Sequence, residues 1–280
     1  HLWLNEGFAS YIEYLAVNHI FPNWKIWTQF VYLDHAKALE LDGLKNTHPI
    51  EVEVHHPSEI SEIFDKVCYS KGASIIRMIA NYLGEKDFQK GLQIYLKKHQ
   101  YSNATTLDLW EALEKASGKK VRKIMENWTG KPGYPLVTVS ETKNLLRLTQ
   151  SRFFSSPISA KESNSPAGDK TLWSIPLDSY LLSKKSLFIS KPKGWVKLNR
   201  GETSLIRISY PRKNLKLLQK PIEDKQLSAE DRFVIIRDAF IFSQSGHKLT
   251  IEALNLILSY KKEDEYVVWA EITSGLRTID

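Results

Sequence analysis

One cysteine, Cys68, is the entire thiol content of this 280-residue chain. No internal disulfide can brace the fold, and a reducing, cytoplasmic compartment is the default reading. Glycine (13) and proline (11) are too sparse for a collagen-like repeat. No apolar run approaches the roughly 20 residues that cross a bilayer, so no membrane association is expected. No P-loop, G-x-G-x-x-G or G-x-S-x-G occurs. No signal peptide is visible, yet the chain opens on His1 inside a motif and reads as an internal fragment.

A one-sided charge is also missing once the formal +7 is mapped. Residues 1–132 carry 16 Lys+Arg against 16 Asp+Glu, and residues 212–280 carry 11 against 11. The excess sits in residues 133–211, 12 against 5, scattered as on a solvated face with blunted sheet edges. No zinc-finger, RRM or helix-turn-helix pattern accompanies it, so no nucleic-acid partner is expected. Two sequons, at Asn103 and Asn127, carry meaning only in a secreted protein.

What is present is ordinary globular composition, 42% apolar with 8 Trp, 12 Tyr and 11 Phe, enough for two or three domains. Residues 1–132 read as helices. Phe8, Ile12 and Leu15 form one stripe; Trp27, Phe30, Val31 and Ala38 form another. A helix through Ala73, Ile76 and Tyr82 stops at Gly84, and the next carries Phe88, Leu92 and Leu96. Thr105 or Thr106 caps a third, with Asp108 in its first turn and Gly118 after its end. Residues 133–211 switch to period two. Strands are predicted at Tyr134–Ser140, Leu145–Gln150, Leu172–Leu182, Ser186–Ser190, Gly194–Leu198 and Ser204–Tyr210, which suggests a small β-sandwich. Ser155–Asp169, rich in Ser, Pro and Ala, reads as a mobile loop. Helices return after 212: Ser228 caps one that Gly246 stops, and Thr250 starts the next.

Two places suggest chemistry. Glu6, between Asn5 and Gly7, opens an otherwise apolar helix. A buried carboxylate requires a cation or hydrogen bonds, so Glu6 is a metal ligand, a salt-bridge partner, or simply a helix N-terminal Glu. Tyr69 sits where an extended segment becomes a helix. Its hydroxyl is placed to donate to an oxyanion, or its ring is a half-buried core residue. Gly72 suggests a close approach of another backbone, and Lys71 is expected to face solvent. Cys68 has no His at helpful spacing and is not read as a catalytic thiol. The eight histidines (1, 19, 35, 48, 55, 56, 99 and 247) form no H-x-x-x-H, so a zinc site cannot be assembled from this chain's spacings alone. His55 and His56 should point to opposite sides of an extended backbone.

Leu2-Trp3-Leu4-Asn5-Glu6-Gly7-Phe8-Ala9 resembles the segment that follows the H-E-x-x-H helix of gluzincin aminopeptidases. Phe64-Asp65 with Tyr69-Ser70-Lys71-Gly72-Ala73 resembles their catalytic-tyrosine motif. Asn127-Trp128-Thr129 with Gly133-Tyr134-Pro135 resembles the end of their catalytic domain, and Asp231-Arg232 with Asp238-Ala239-Phe240 the opening of their C-terminal helical domain. Ile26–Phe30, His48–Val52 and Tyr69–Met78 look most like the puromycin-sensitive branch. The resemblance implies a multidomain α+β protein. Residues 1–132 would be the helical half of a thermolysin-like catalytic domain, 133–211 a β-sandwich, and 212–280 the start of an α-helical domain. It implies a zinc aminopeptidase acting on peptides with a free N-terminus, with Glu6 as the third zinc ligand and Tyr69 as the catalytic donor. The family's H-E-x-x-H and G-A-M-E-N segments would precede His1. The parent protein is therefore the expected enzyme and this chain alone an inactive piece. A scaffold of the same architecture that has lost its zinc motif is the alternative, and an epoxide-hydrolysing relative is a third.

Overall fold

The computed structural model describes residues 2–54, 56, 58, 64–163 and 168–279. Helices α1 (Trp3–Ile20), α2 (Ile26–Phe30) and α3 (Ala36–Asp42) come first, with a π-turn, Val31–His35, between α2 and α3. A second π-turn, Val67–Lys71, runs directly into α4 (Gly72–Leu83). Then follow α5 (Glu85–Lys98), α6 (Thr106–Ser117) and α7 (Val121–Gly130). The predicted punctuation holds. Gly84 ends α4 at φ 89°, a conformation that glycine adopts without strain. Thr105 and Asp108 cap each other reciprocally at the start of α6, and Gly118 closes it in the left-handed region.

The middle of the chain holds two small sheets. Strands β1 (Pro135–Glu141), β2 (Leu145–Arg152), β5 (Ser186–Ser190) and β6 (Arg207–Ser209) form one in the order β5-β2-β1-β6. β1 pairs antiparallel with β2, through Val137 opposite Gln150, and parallel with β6. Strands β3 (Ile175–Leu177) and β4 (Tyr180–Leu182) form the other.

Three expectations are corrected here. Leu172–Leu182 is a hairpin rather than one strand, because Asp178 turns the chain at φ 50°. Gly194–Leu198 is extended but joins no ladder. The Asn214 side chain bonds both the N–H and the C=O of Val196, each at 2.8 Å, and the Tyr210 hydroxyl accepts from the Leu198 N–H at 2.8 Å. Its backbone is thus satisfied by side chains instead of a neighbouring strand. The predicted loop at 155–169 contains a short helix, α8 (Pro157–Ser163), with Pro157 at its first position.

Helices α9 (Arg212–Glu223), α10 (Ala229–Gln244), α11 (Thr250–Ile257) and α12 (Tyr266–Arg277) complete the described chain. Ser228 caps α10 by accepting from the Asp231 N–H. The segments are joined by buried charge. Arg207 of β6 donates to the Tyr134 hydroxyl at 2.9 Å and to Asp238 of α10. Arg77 of α4 donates to the carbonyls of Gly201 and Glu202, and its guanidinium lies 5.0 Å from the Trp27 ring centroid. Burial pulls the Arg77 pKa down to about 10, opposed by the charges of Glu202 and Glu230. No described helix is long and apolar enough to cross a membrane.

Candidate active site

α1 begins against α6. The Trp3 indole N–H donates to the Thr106 hydroxyl at 3.1 Å, and its ring packs 5.9 Å from that of Trp110. With Trp3, Leu4 and Gly7 buried, Glu6 is left half-buried on the first turns of the helix. Gly7 is where α1 crosses the start of α4. A Cβ on Gly7 would stand 3.0 Å from the Gly72 carbonyl carbon, and one on Gly72 would stand 3.3 Å from the Gly7 Cα. The backbone approach that Gly72 suggested is real, and its partner is a second glycine. Glu6 and Tyr69 flank this crossing.

The π-turn carries Tyr69. Such a turn admits one extra residue and re-aims its side chains relative to an ordinary helix. The Tyr69 ring is half-buried. Desolvation, then the influence of the Glu6 carboxylate, raises the phenol pKa above its ordinary value of 10.0. The hydroxyl therefore keeps its proton at neutral pH and can donate it.

Its neighbours are accounted for. Cys68 is buried, and its thiol is pushed up to about 12 by burial and by Asp65 and Glu6, which disqualifies it as a nucleophile. Ser70 donates to Asp34 at 2.7 Å, and Tyr14 donates to the other oxygen of the same carboxylate at 2.7 Å. Lys71 does not face solvent. It is fully buried and pairs with Asp42 at 2.8 Å. Asp42 accepts from the Gly133 N–H (2.8 Å) and the Thr47 hydroxyl (2.9 Å), and Lys71 donates to the carbonyls of Gly133 and Lys131. This enclosure satisfies both charges, the condition under which a buried pair persists.

Asp65 and His48 are members of the site that the sequence reading left without a role. Asp65 accepts from the N–H groups of Val67 and Cys68, at 2.9 and 3.0 Å, and its other oxygen lies 2.9 Å from His48 Nε2. An Asp two residues before the first helical turn is a capping signal legible in principle; the His48 contact spans 17 positions and is not. Of the adjacent histidines, His55 lies outside the described residues, and His56 contacts the Ser58 hydroxyl at 2.8 Å. Beside Glu6, Asn5 lines a groove of about 800 Å³ with Phe8, Leu92 and Tyr95. Beside Tyr69, Cys68 lines a cleft of about 930 Å³ with His48, Trp110 and Glu126.

Among the described residues, no cluster of three or more His, Cys, Asp or Glu could hold a metal ion. Glu6 offers a single anionic oxygen donor of the kind that can take one position of a zinc site.

Residues 1–128 match the model of the peptidase family M1 domain, and residues 195–280 that of the ERAP1-like C-terminal domain. Curated relatives include aminopeptidase M1-A of Oryza sativa, 40% identical over 97% of this chain and 32% of its own length. Alanine/arginine aminopeptidase of Saccharomyces cerevisiae is 40% identical over 99% of the chain and 33% of its own. Puromycin-sensitive aminopeptidase of Caenorhabditis elegans is 38% identical over 98% and 30%. The chain spans about a third of the length of these relatives.

Proposed function

From a chain that belongs to peptidase family M1, we infer that the parent protein is a zinc aminopeptidase removing N-terminal residues from peptides, with Glu6 and Tyr69 on one wall of its reaction site. The observation that supports this most is the close approach of α1 and α4 at Gly7 and Gly72, which sets Glu6 and Tyr69 on either side of one crossing. In this reading residues 1–132 complete a thermolysin-like catalytic domain, 133–211 form its β-sandwich, and 212–280 open a helical domain.

Each residue has a distinct task. Glu6 supplies one oxygen ligand and one negative charge to the zinc, on a helix pinned at Trp3 and Gly7. When bound, the metal supplies Lewis-acid activation of water and of the scissile carbonyl. Attack on that carbonyl develops an oxyanion. The Tyr69 hydroxyl, protonated because its pKa is raised, donates to it. The compartment we infer is cytoplasmic, on the single cysteine.

Glu6→Gln in the full-length protein tests the ligand role. Dialysis against a mild chelator should strip its zinc while the unsubstituted enzyme keeps one ion, and hydrolysis of an aminoacyl-arylamide should go with the metal. Retained stoichiometric zinc in Glu6→Gln contradicts ligation. Unsubstituted full-length protein that neither binds zinc nor cleaves the arylamide returns the scaffold reading.

A further inference from the structure

The fold sorts the positive excess of residues 133–211 into paired and unpaired groups. Arg152 pairs with Asp169, Lys191 with Glu141, Lys197 with Glu202 and Arg207 with Asp238. Lys143, Arg147, Lys184, Lys185 and Lys193 are exposed and have no ion-pair partner among the described residues. These five gather round one strand. Lys184 and Lys185 precede β5, and Lys193 follows it. Lys143 sits in the β1–β2 turn, which a bond from the Lys191 N–H to the Asn144 carbonyl (3.1 Å) holds beside the end of β5. Arg147 stands opposite Phe188 on the outer face of the sheet, its guanidinium 5.8 Å from the ring centroid. Phe188 is 53% exposed.

β5 is also an open edge. In the order β5-β2-β1-β6 its one neighbour is β2. Alternate residues of an antiparallel strand turn their N–H and C=O groups to the neighbour. The Lys185 carbonyl accepts from the Gln150 N–H at 3.0 Å, and Lys191 bonds Asn144, so the odd-numbered residues face β2. Ser186, Phe188 and Ser190 therefore aim their N–H and C=O groups outward, with no hydrogen-bond partner among the described residues.

We propose that the β5 edge docks an extended, acidic segment of a partner protein, which adds a strand to the sheet. The outward donors and acceptors alternate along roughly 17 Å of strand. Another extended backbone supplies that alternation. A phosphate surface, of membrane or nucleic acid, offers acceptors to the lysines and N–H groups but not the regularly spaced donors that the carbonyls require. The cations set the partner's charge, because carboxylates flanking the added strand would meet lysine at both of its ends. A second copy of this chain would set those lysines against one another, which is how lysine at a sheet edge keeps like strands apart. Phe188 offers the added strand a ring for a cross-strand side chain to pack on.

The probe is a fluorescein-labelled, acetylated peptide with a Val-Thr-Val-Thr-Val centre and two Glu at each end; the acetyl group leaves no free N-terminus to trim. Fluorescence anisotropy with the full-length protein should show saturable binding that weakens as salt rises. The same peptide with Lys in place of Glu should not bind. Phe188→Pro removes the central outward N–H and no bond to β2, and should weaken binding by roughly 10-fold. Lys184→Glu with Lys185→Glu should weaken it by roughly 10-fold and flatten the salt dependence, while Lys161→Glu, the same charge change on α8, leaves it as it was. Hydrogen exchange in the unsubstituted protein decides the matter if Phe188→Pro does not fold. Bound peptide should slow the amides of Ser186, Phe188 and Ser190 and leave those of Leu187 and Ile189, already bonded to β2, unchanged. Absence of binding overturns the proposal, and so does binding that leaves the three outward amides unprotected or that Phe188→Pro does not weaken. Sedimentation with phosphatidylserine vesicles in a protein that ignores the peptide would overturn it in favour of a membrane face.

Discussion

Tyr69 and Lys71 stand in one turn, and both carry a polar head on a long side chain, yet they meet opposite fates. Lys71 is wholly enclosed, with its partner Asp42, two carbonyls and a ring of further donors all supplied by this chain. Tyr69 is half-open, and so is Glu6 across the Gly7–Gly72 crossing. A finished network such as that around Lys71 stabilises a fold, whereas an unfinished pair is available to something else. The difference separates the part of the motif that holds the helix from the part to which we assign the chemistry.

The comparison breaks first at Lys71. Lys71→Met leaves Asp42 charged and buried without its cation, and removing one partner of a buried pair costs about 3–5 kcal/mol. Urea denaturation of the chain should show that loss; a loss below about 1 kcal/mol would mean that the enclosure is solvated. A smaller effect is expected at the crossing. Gly7→Val forces two backbones apart, and overpacking of this kind costs about 1–3 kcal/mol. Unchanged stability would show that the crossing is looser than described.

The smallest effect is a matter of pH. His35 is 1% exposed, and burial, reinforced by Arg77, Arg207 and Arg237, holds its pKa well below 6.5. The unfolded chain takes up a proton near pH 6.5 that the folded chain refuses. Stability from this group is therefore present above about pH 6.5 and falls as pH drops below it, by up to about 1.4 kcal/mol per pH unit. Denaturation midpoints between pH 7 and 5 should show that slope, and His35→Gln should flatten it. An equal slope in both proteins would place the titration elsewhere.

How much of this could be read from residues depended on how local each cause was. Helix ends at Gly84, Thr105, Gly118 and Ser228 were legible because each cap acts within a few positions. Gly194–Leu198 looked like a strand because it has a strand's side chains; Asn214 and Tyr210, which occupy its backbone, come from farther on. Lys71 looked exposed because lysine usually is, and nothing near it announces Asp42, 29 positions earlier. At the candidate site, Gly72 signalled a close approach without saying to what. Glu6 and Tyr69 stand 63 positions apart, beyond any periodicity, and only the resemblance of two separate motifs to one family linked them.

Tyr69→Phe in the full-length protein tests the central claim most directly, because it removes one oxygen and leaves the ring, the turn and Glu6 in place. The account predicts that zinc content and KM stay as they were while kcat falls roughly 100- to 1,000-fold, about 3–4 kcal/mol of lost oxyanion stabilisation. A Tyr69→Phe enzyme that turns over substrate at a near-normal kcat would contradict it.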